Sequence, residues 1–131
     1  MKKTRTPEYQ NLEQEALDIE ISFLEGLTRR DPNYIAALQI LGDLYTRRGR
    51  FEDGLRMDRK LAELCPNDAL VFYNLACSHS LMHQTDEALA SLRQALLLGY
   101  HDWKWLVEDP DLESLRKDSR YASLIAQLKK S

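Results

Sequence analysis

The 131 residues are 44% hydrophobic and 30% charged with a formal net charge of −3, which is enough apolar material for one domain with a real core and too apolar for a disordered chain. No basic excess is present to neutralise phosphates, so nucleic acid is excluded as the natural partner, and no run of about 18 apolar residues exists to span a bilayer. Polar residues follow Met1-Lys2-Lys3 where a secretory leader needs an apolar stretch, so the expected compartment is cytoplasmic, with Cys65 and Cys77 as buried thiols rather than a disulfide.

Residues Met1 to Arg5 are basic and polar and are expected to be loose, with a helix starting at Pro7, a good first helical residue. From Leu12 the apolar spacing is helical, and Leu17, Ile21, Leu24 and Leu27 form one face. Ile19 and Phe23 fall on a different side of that helix. Either residues 7–12 fold back over them, or they form a self-association surface, because exposed apolar patches of this kind mark contacts. Asp31-Pro32-Asn33 breaks the helix, and Asn33 is expected to cap the next one. A helix, a turn at Gly49 and a second helix then fill Tyr34 to Cys65. Pro66-Asn67-Asp68 repeats the break with a cap. A second pair runs from Ala69 to about Leu98, hinged at His83-Gln84-Thr85 and ended by Gly99. Trp103 and Leu106 begin another helix, which Asp109-Pro110 stops. Two short helices are predicted beyond it, one with Leu112 and Leu115, the other with Tyr121, Leu124, Ile125 and Leu128, ending in Lys129-Lys130 where cations suit a helix C-terminus.

The two pairs repeat at an interval of 34 residues: Gly42 corresponds to Ala76, Gly54 to Ala88, Leu38 to Phe72, Leu41 to Leu75, Leu55 to Leu89 and Pro32 to Pro66. The small residues let two antiparallel helices approach closely, and the large ones a turn away fill the groove so made. On these residues the stretch from 33 to 100 resembles the tetratricopeptide repeat. The resemblance implies an all-α fold of antiparallel hairpins stacked as a short right-handed superhelix with a C-terminal helical cap. Its expected units are an incomplete repeat over 7–31, repeats over 33–66 and 67–100, and a degenerate repeat with the cap over 101–131. Gly99-Tyr100, Trp105-Leu106, Asp109-Pro110-Asp111-Leu112, Leu115-Arg116 and Arg120-Tyr121 look like the closing block of a group of bacterial members. Such a cap covers the apolar face that an open stack exposes at its end.

The resemblance also implies where a ligand goes. First helices of this family line a concave groove, and by register the groove positions are Ala36, Gln39, Asp43 and Thr46, then Leu70, Tyr73, Cys77 and Ser80, with Asn74 beside them. Gln39, Asp43, Leu70, Tyr73, Asn74 and Cys77 are the candidate peptide-binding residues. Leu70 and Tyr73 offer apolar contact, while Gln39 and Asn74 can hydrogen-bond a peptide backbone. Tyr73 packing under the cap instead is the structural alternative. A subgroup that grips the carboxylate tail of chaperones needs Lys and Asn where this chain has Gln39 and Asp43, and an aspartate repels that ligand.

Catalysis, cofactors and metals are not expected. Cys77, His79 and His83 lie within seven residues, but His83 falls at a hinge, and residues two apart on a helix point in nearly opposite directions. Asp58 stands where Leu24 and Leu92 place a large apolar side chain, so it needs a partner if buried: either it meets His79 in the neighbouring helix, or it turns toward solvent or meets Arg59 or another Arg near the surface. The functional expectation is a bacterial cytoplasmic adaptor binding a protein or peptide in the groove. The alternative is a scaffold that forms a homo-oligomer through Ile19 and Phe23.

Overall fold

The computed structural model describes residues 6–129; the N-terminal stretch Met1 to Arg5, and Lys130 and Ser131 at the other end, lie outside it. Among the described residues there are helices and turns and no strands. The first helix, α1, spans Pro7–Arg30. Thr6 opens it by accepting the Tyr9 N–H at 3.1 Å, Pro7 presets the first turn, and Arg29 and Arg30 sit at the carbonyl end where cations are favoured. No Gly or Pro interrupts it between Pro7 and Gly26, so residues 7–12 continue the helix and do not fold back. Ile19 and Phe23 are therefore exposed, at 71% and 67%. The opposite face buries Ile21 and Leu24 against the second helix.

Two hairpins follow, α2 (Ile35–Arg47) with α3 (Phe51–Leu64), then α4 (Ala69–Leu81) with α5 (Thr85–Leu97). Each helix packs on the next along the chain. Asn33 does not cap α2. Asp31 takes the Asn33 N–H into a local turn at 3.3 Å, and Tyr34 stands at the cap position with no side-chain bond to the helix. Asp68 does cap α4, accepting the N–H groups of Leu70 and Val71. At the α2–α3 crossing a Cβ on Gly54 would stand 2.8 Å from Thr46 Oγ1 and 3.4 Å from the Gly42 carbonyl oxygen, so only glycine lets these helices come this close. The α4–α5 crossing uses Ala76 and Ala88, both fully buried.

The two hairpin turns close in the same way. In the first, Gly49 N–H bonds Thr46 O and Arg50 N–H bonds Tyr45 O at 2.8 Å; in the second, His83 N–H bonds Ser80 O and Gln84 N–H bonds His79 O at 2.9 Å. This pattern needs a left-handed residue, which Gly49 supplies at φ 84° and His83 supplies at φ 57°. A side chain is penalised in that conformation and glycine is not. His83→Gly is accordingly expected to raise stability by about 0.5–1 kcal/mol, measured as a higher urea midpoint with unchanged slope.

Beyond Gly99 the chain forms α6 (Trp103–Glu108), a 3-10 turn at Pro110–Leu112, α7 (Glu113–Arg116) and α8 (Ser119–Lys129). Leu106, Leu112, Leu115, Tyr121 and Leu124 join Ala88, Leu92 and Ala95 in one core. Arg120 of α8 reaches back to Asp86 of α5, and Tyr121 donates its hydroxyl to the Leu106 carbonyl. The block thus covers the face that α4 and α5 would otherwise expose. A helix apolar on one face only could not sit at this junction. In α4 every residue from Leu75 to Ser80 is buried, because α3, α5 and the closing block surround it.

Candidate functional site

A cleft of about 440 Å3 runs across α2 and α4 and is closed at one end by α6 and the turn after it. Gln39 and Asp43 come from α2, Leu70, Tyr73, Asn74 and Cys77 from α4, and Trp105, Asp109 and Asp111 from the closing block. The structure thus brings all six candidate groove residues to one place. Helical geometry explains it, since 39 and 43, like 70, 73, 74 and 77, are spaced three or four apart and share a face.

They are not equally accessible. Gln39, Asp43, Leu70 and Asn74 are exposed, whereas Tyr73 and Cys77 are buried behind them, at 3% and 7%. Tyr73 stacks on Tyr100 with ring centroids 4.1 Å apart and donates its hydroxyl to Asp109. Packing under the closing block is therefore what Tyr73 does, and it forms a wall, not a contact surface. Of the other register positions, Ala36 is exposed, while Ser80 is buried against Ser114.

Asp109 holds this wall together. It accepts from Tyr73, from the Cys77 thiol at 3.6 Å, and from the Asp111 N–H at 3.0 Å, which also starts the 3-10 turn. Burial and the neighbouring Cys77 and Asp109 push the Tyr73 hydroxyl up, and burial with Asp109 pushes the Cys77 thiol up. Cys77 is held as a neutral thiol, the reverse of what a nucleophile needs. Its position, 32 residues from Asp109 and outside the repeat interval, left no sequence signal pairing the two beyond a capping Asp before Pro110.

Asp58 is buried and has a partner, but the partner is Ser78 and not His79. His79 bonds Gln84 at 2.7 Å across the hairpin turn, so its ring is engaged elsewhere, and His83 sits exposed at that turn. Burial raises the Asp58 carboxyl to about 6, the Ser78 hydroxyl lowers it and Asp43 raises it further. A carboxyl with a folded pKa above its unfolded value of about 4 binds its proton more tightly when folded. Its contribution therefore favours the fold at low pH, and stability is lost as pH rises between about 4 and 6. Asp58→Asn is expected to leave stability at pH 4 nearly unchanged and to add about 1–2 kcal/mol at pH 7, read from urea titrations at both pH values.

Helical hairpins that cross at paired small residues and close on one turn motif define a helical repeat protein. Residues 59–90, from the second half of α3 into α5, match the tetratricopeptide repeat family, and the all-helical arrangement of adjacent hairpins around that segment is consistent with a repeat protein of this type. A chloroplastic protein of Arabidopsis thaliana is 37% identical over 90 residues, 66% of this chain and 27% of that protein. The chain thus spans 27% of the length of this relative. Among the described residues no helix is long and apolar enough to cross a membrane. Repeats of this family generally mediate protein–protein interaction.

Proposed function

We propose that this protein is a non-catalytic adaptor that holds a peptide or partner helix in the cleft across α2 and α4. Gln39, Asp43, Leu70 and Asn74 make the contacts, with Tyr73 and Cys77 as the wall behind them. The observation that supports this reading is Leu70, 57% exposed and beside Asn74 and Gln39 in a concave site. An apolar anchor flanked by groups that pair with backbone is what an extended peptide requires. The free thiols of Cys65 and Cys77 fit a reducing compartment, the cytoplasm of a bacterial cell. A photoreactive amino acid at Gln39 is expected to cross-link a partner protein in cells, and the same group at Glu63 on the α3 surface is expected not to. Equal labelling from both positions would refute the reading.

A second reading rests on α1. Leu12, Ala16, Ile19 and Phe23 are exposed and spaced four, three and four apart, the seam of a helix that pairs with another helix. In this reading two copies join through that stripe into a homo-oligomer. Sedimentation equilibrium of the wild type and Phe23→Glu decides it, since a wild-type monomer at high micromolar concentration rules it out.

A further inference from the structure

The cleft is lined by five aspartates, Asp43, Asp58, Asp68, Asp109 and Asp111, and among the described residues none of its lining is Lys, Arg or His. Three of the five are engaged within the fold. Asp58 takes the Ser78 hydroxyl, Asp68 caps α4, and Asp109 takes Tyr73, Cys77 and the Asp111 N–H. Two remain for something else. Among the described residues, Asp43 has only the exposed Arg47 of its own helix, at 3.8 Å. The half-buried Asp111 carboxylate accepts no hydrogen bond and forms no ion pair among the described residues.

Asp43 and Asp68 are exposed at the mouth of the cleft, while Asp111 is half-buried and Asp58 and Asp109 are buried; negative charge gathered in a concavity without a counter-charge is unfavourable by itself and is relieved by a cation. Burial together with Asp109 and Asp43 holds the Asp111 carboxyl above its ordinary range, which is the same frustration seen from the proton's side. Trp105, 43% exposed at the same end of the cleft, adds an aromatic face on which a cationic head or its aliphatic stem can lie.

We propose that the cleft selects a peptide segment carrying lysine or arginine, with the cationic head taken by Asp111 and Asp43 and a neighbouring apolar side chain resting on Leu70. This rests on the cleft being the docking site. Cys77 Sγ and the carboxylates of Asp109 and Asp111 do lie within 4.8 Å of one another. A metal ion there would need the thiolate, whereas burial and Asp109 keep Cys77 protonated, and Asp109 already accepts three donors. The side chain of a peptide needs no such rearrangement.

The test pans the full chain against a random-peptide display library and titrates the recovered peptides by calorimetry. Recovered peptides are expected to be enriched in lysine and arginine, and a chosen one to lose about tenfold in Kd with Asp111→Asn or Asp43→Asn. Its norleucine-for-lysine version is expected to bind about as weakly and to ignore Asp111→Asn. Circular dichroism checks that Asp111→Asn folds, which it should, because that side chain holds no bond of the fold. Peptides that bind, lose binding with Leu70→Asp and show no basic enrichment overturn the cation claim and leave the docking site standing. Peptides indifferent to both Leu70→Asp and Gln39→Arg overturn the docking site as well. Binding that requires added zinc and disappears with a chelator overturns the proposal in favour of a metal at Cys77.

Discussion

Asp109→Ala is expected to destabilise the protein by about 3 kcal/mol. Asp109 is 4% exposed and serves three donors at once. Alanine leaves the Tyr73 hydroxyl buried with no acceptor, a loss of about 1–3 kcal/mol, and removes the cap of the 3-10 turn, worth about 1 kcal/mol. The thiol of Cys77 is a weak donor and adds little. Tyr73→Phe is the gentler change, because the carboxylate keeps the Asp111 N–H, and about 1–2 kcal/mol is expected. A double-mutant cycle on Tyr73 and Asp109 separates their contact from the rest. A coupling near zero would mean that the closing block is held by its apolar side chains alone.

Leu92→Ala is expected to be comparably severe, about 3–4 kcal/mol. Leu92 is fully buried in the core shared by α4, α5 and the closing block, with Leu106, Leu112 and Leu115 around it. Short helices such as α7 cannot stand alone and keep their shape only by packing there, so a cavity at Leu92 has little chance of being filled by relaxation without loosening them. Leu97, on the same helix but exposed, is the control, and its alanine variant is expected to shift stability by less than about 0.5 kcal/mol. Against a total of about 5–15 kcal/mol for an ordinary domain, the first of these is a large loss and the second is none. Equal effects at 92 and 97 would contradict the placement of the core.

How much of the fold is legible in the sequence follows the difference between local and non-local physics. The 34-residue interval was legible because Gly42, Gly54 and Gly49 have steric reasons to be small or left-handed, and Ala76, Ala88 and His83 stand in their places. Those constraints act within one hairpin. The link between Tyr73 and Asp109 was not legible, because it joins a repeat to a block that has left the repeat interval. Asp58 shows the limit of register reasoning. Burial and the need for a partner followed from its position, but Ser78 and His79 are neighbours about 100° apart on α4, and register alone does not say which of them a side chain reaches. The continuous α1 was readable in principle from the lack of any Gly or Pro between Pro7 and Gly26. Asn33 does not cap α2 because its own N–H is taken by Asp31 in the turn, which leaves Tyr34 at the cap position without a side-chain bond.

The cleft lining comes from positions three and four apart on two helices, a spacing that is readable in the sequence, whereas the burial of Tyr73 and Cys77 behind the exposed Gln39, Asp43, Leu70 and Asn74 is not. The acidic end of the cleft is not readable, since Asp109-Pro110 marks only the stop of a helix in the sequence, and the folding of the closing block against α4 is what brings Asp109 and Asp111 beside Asp43 and Cys77.

The most direct measurement is an amide NMR titration of the full chain with a peptide recovered by panning. Shifts confined to Gln39, Asp43, Leu70, Asn74 and Asp111 are the predicted result. Shifts that centre on Ile19 and Phe23 of α1, with those five amides unmoved, would contradict it.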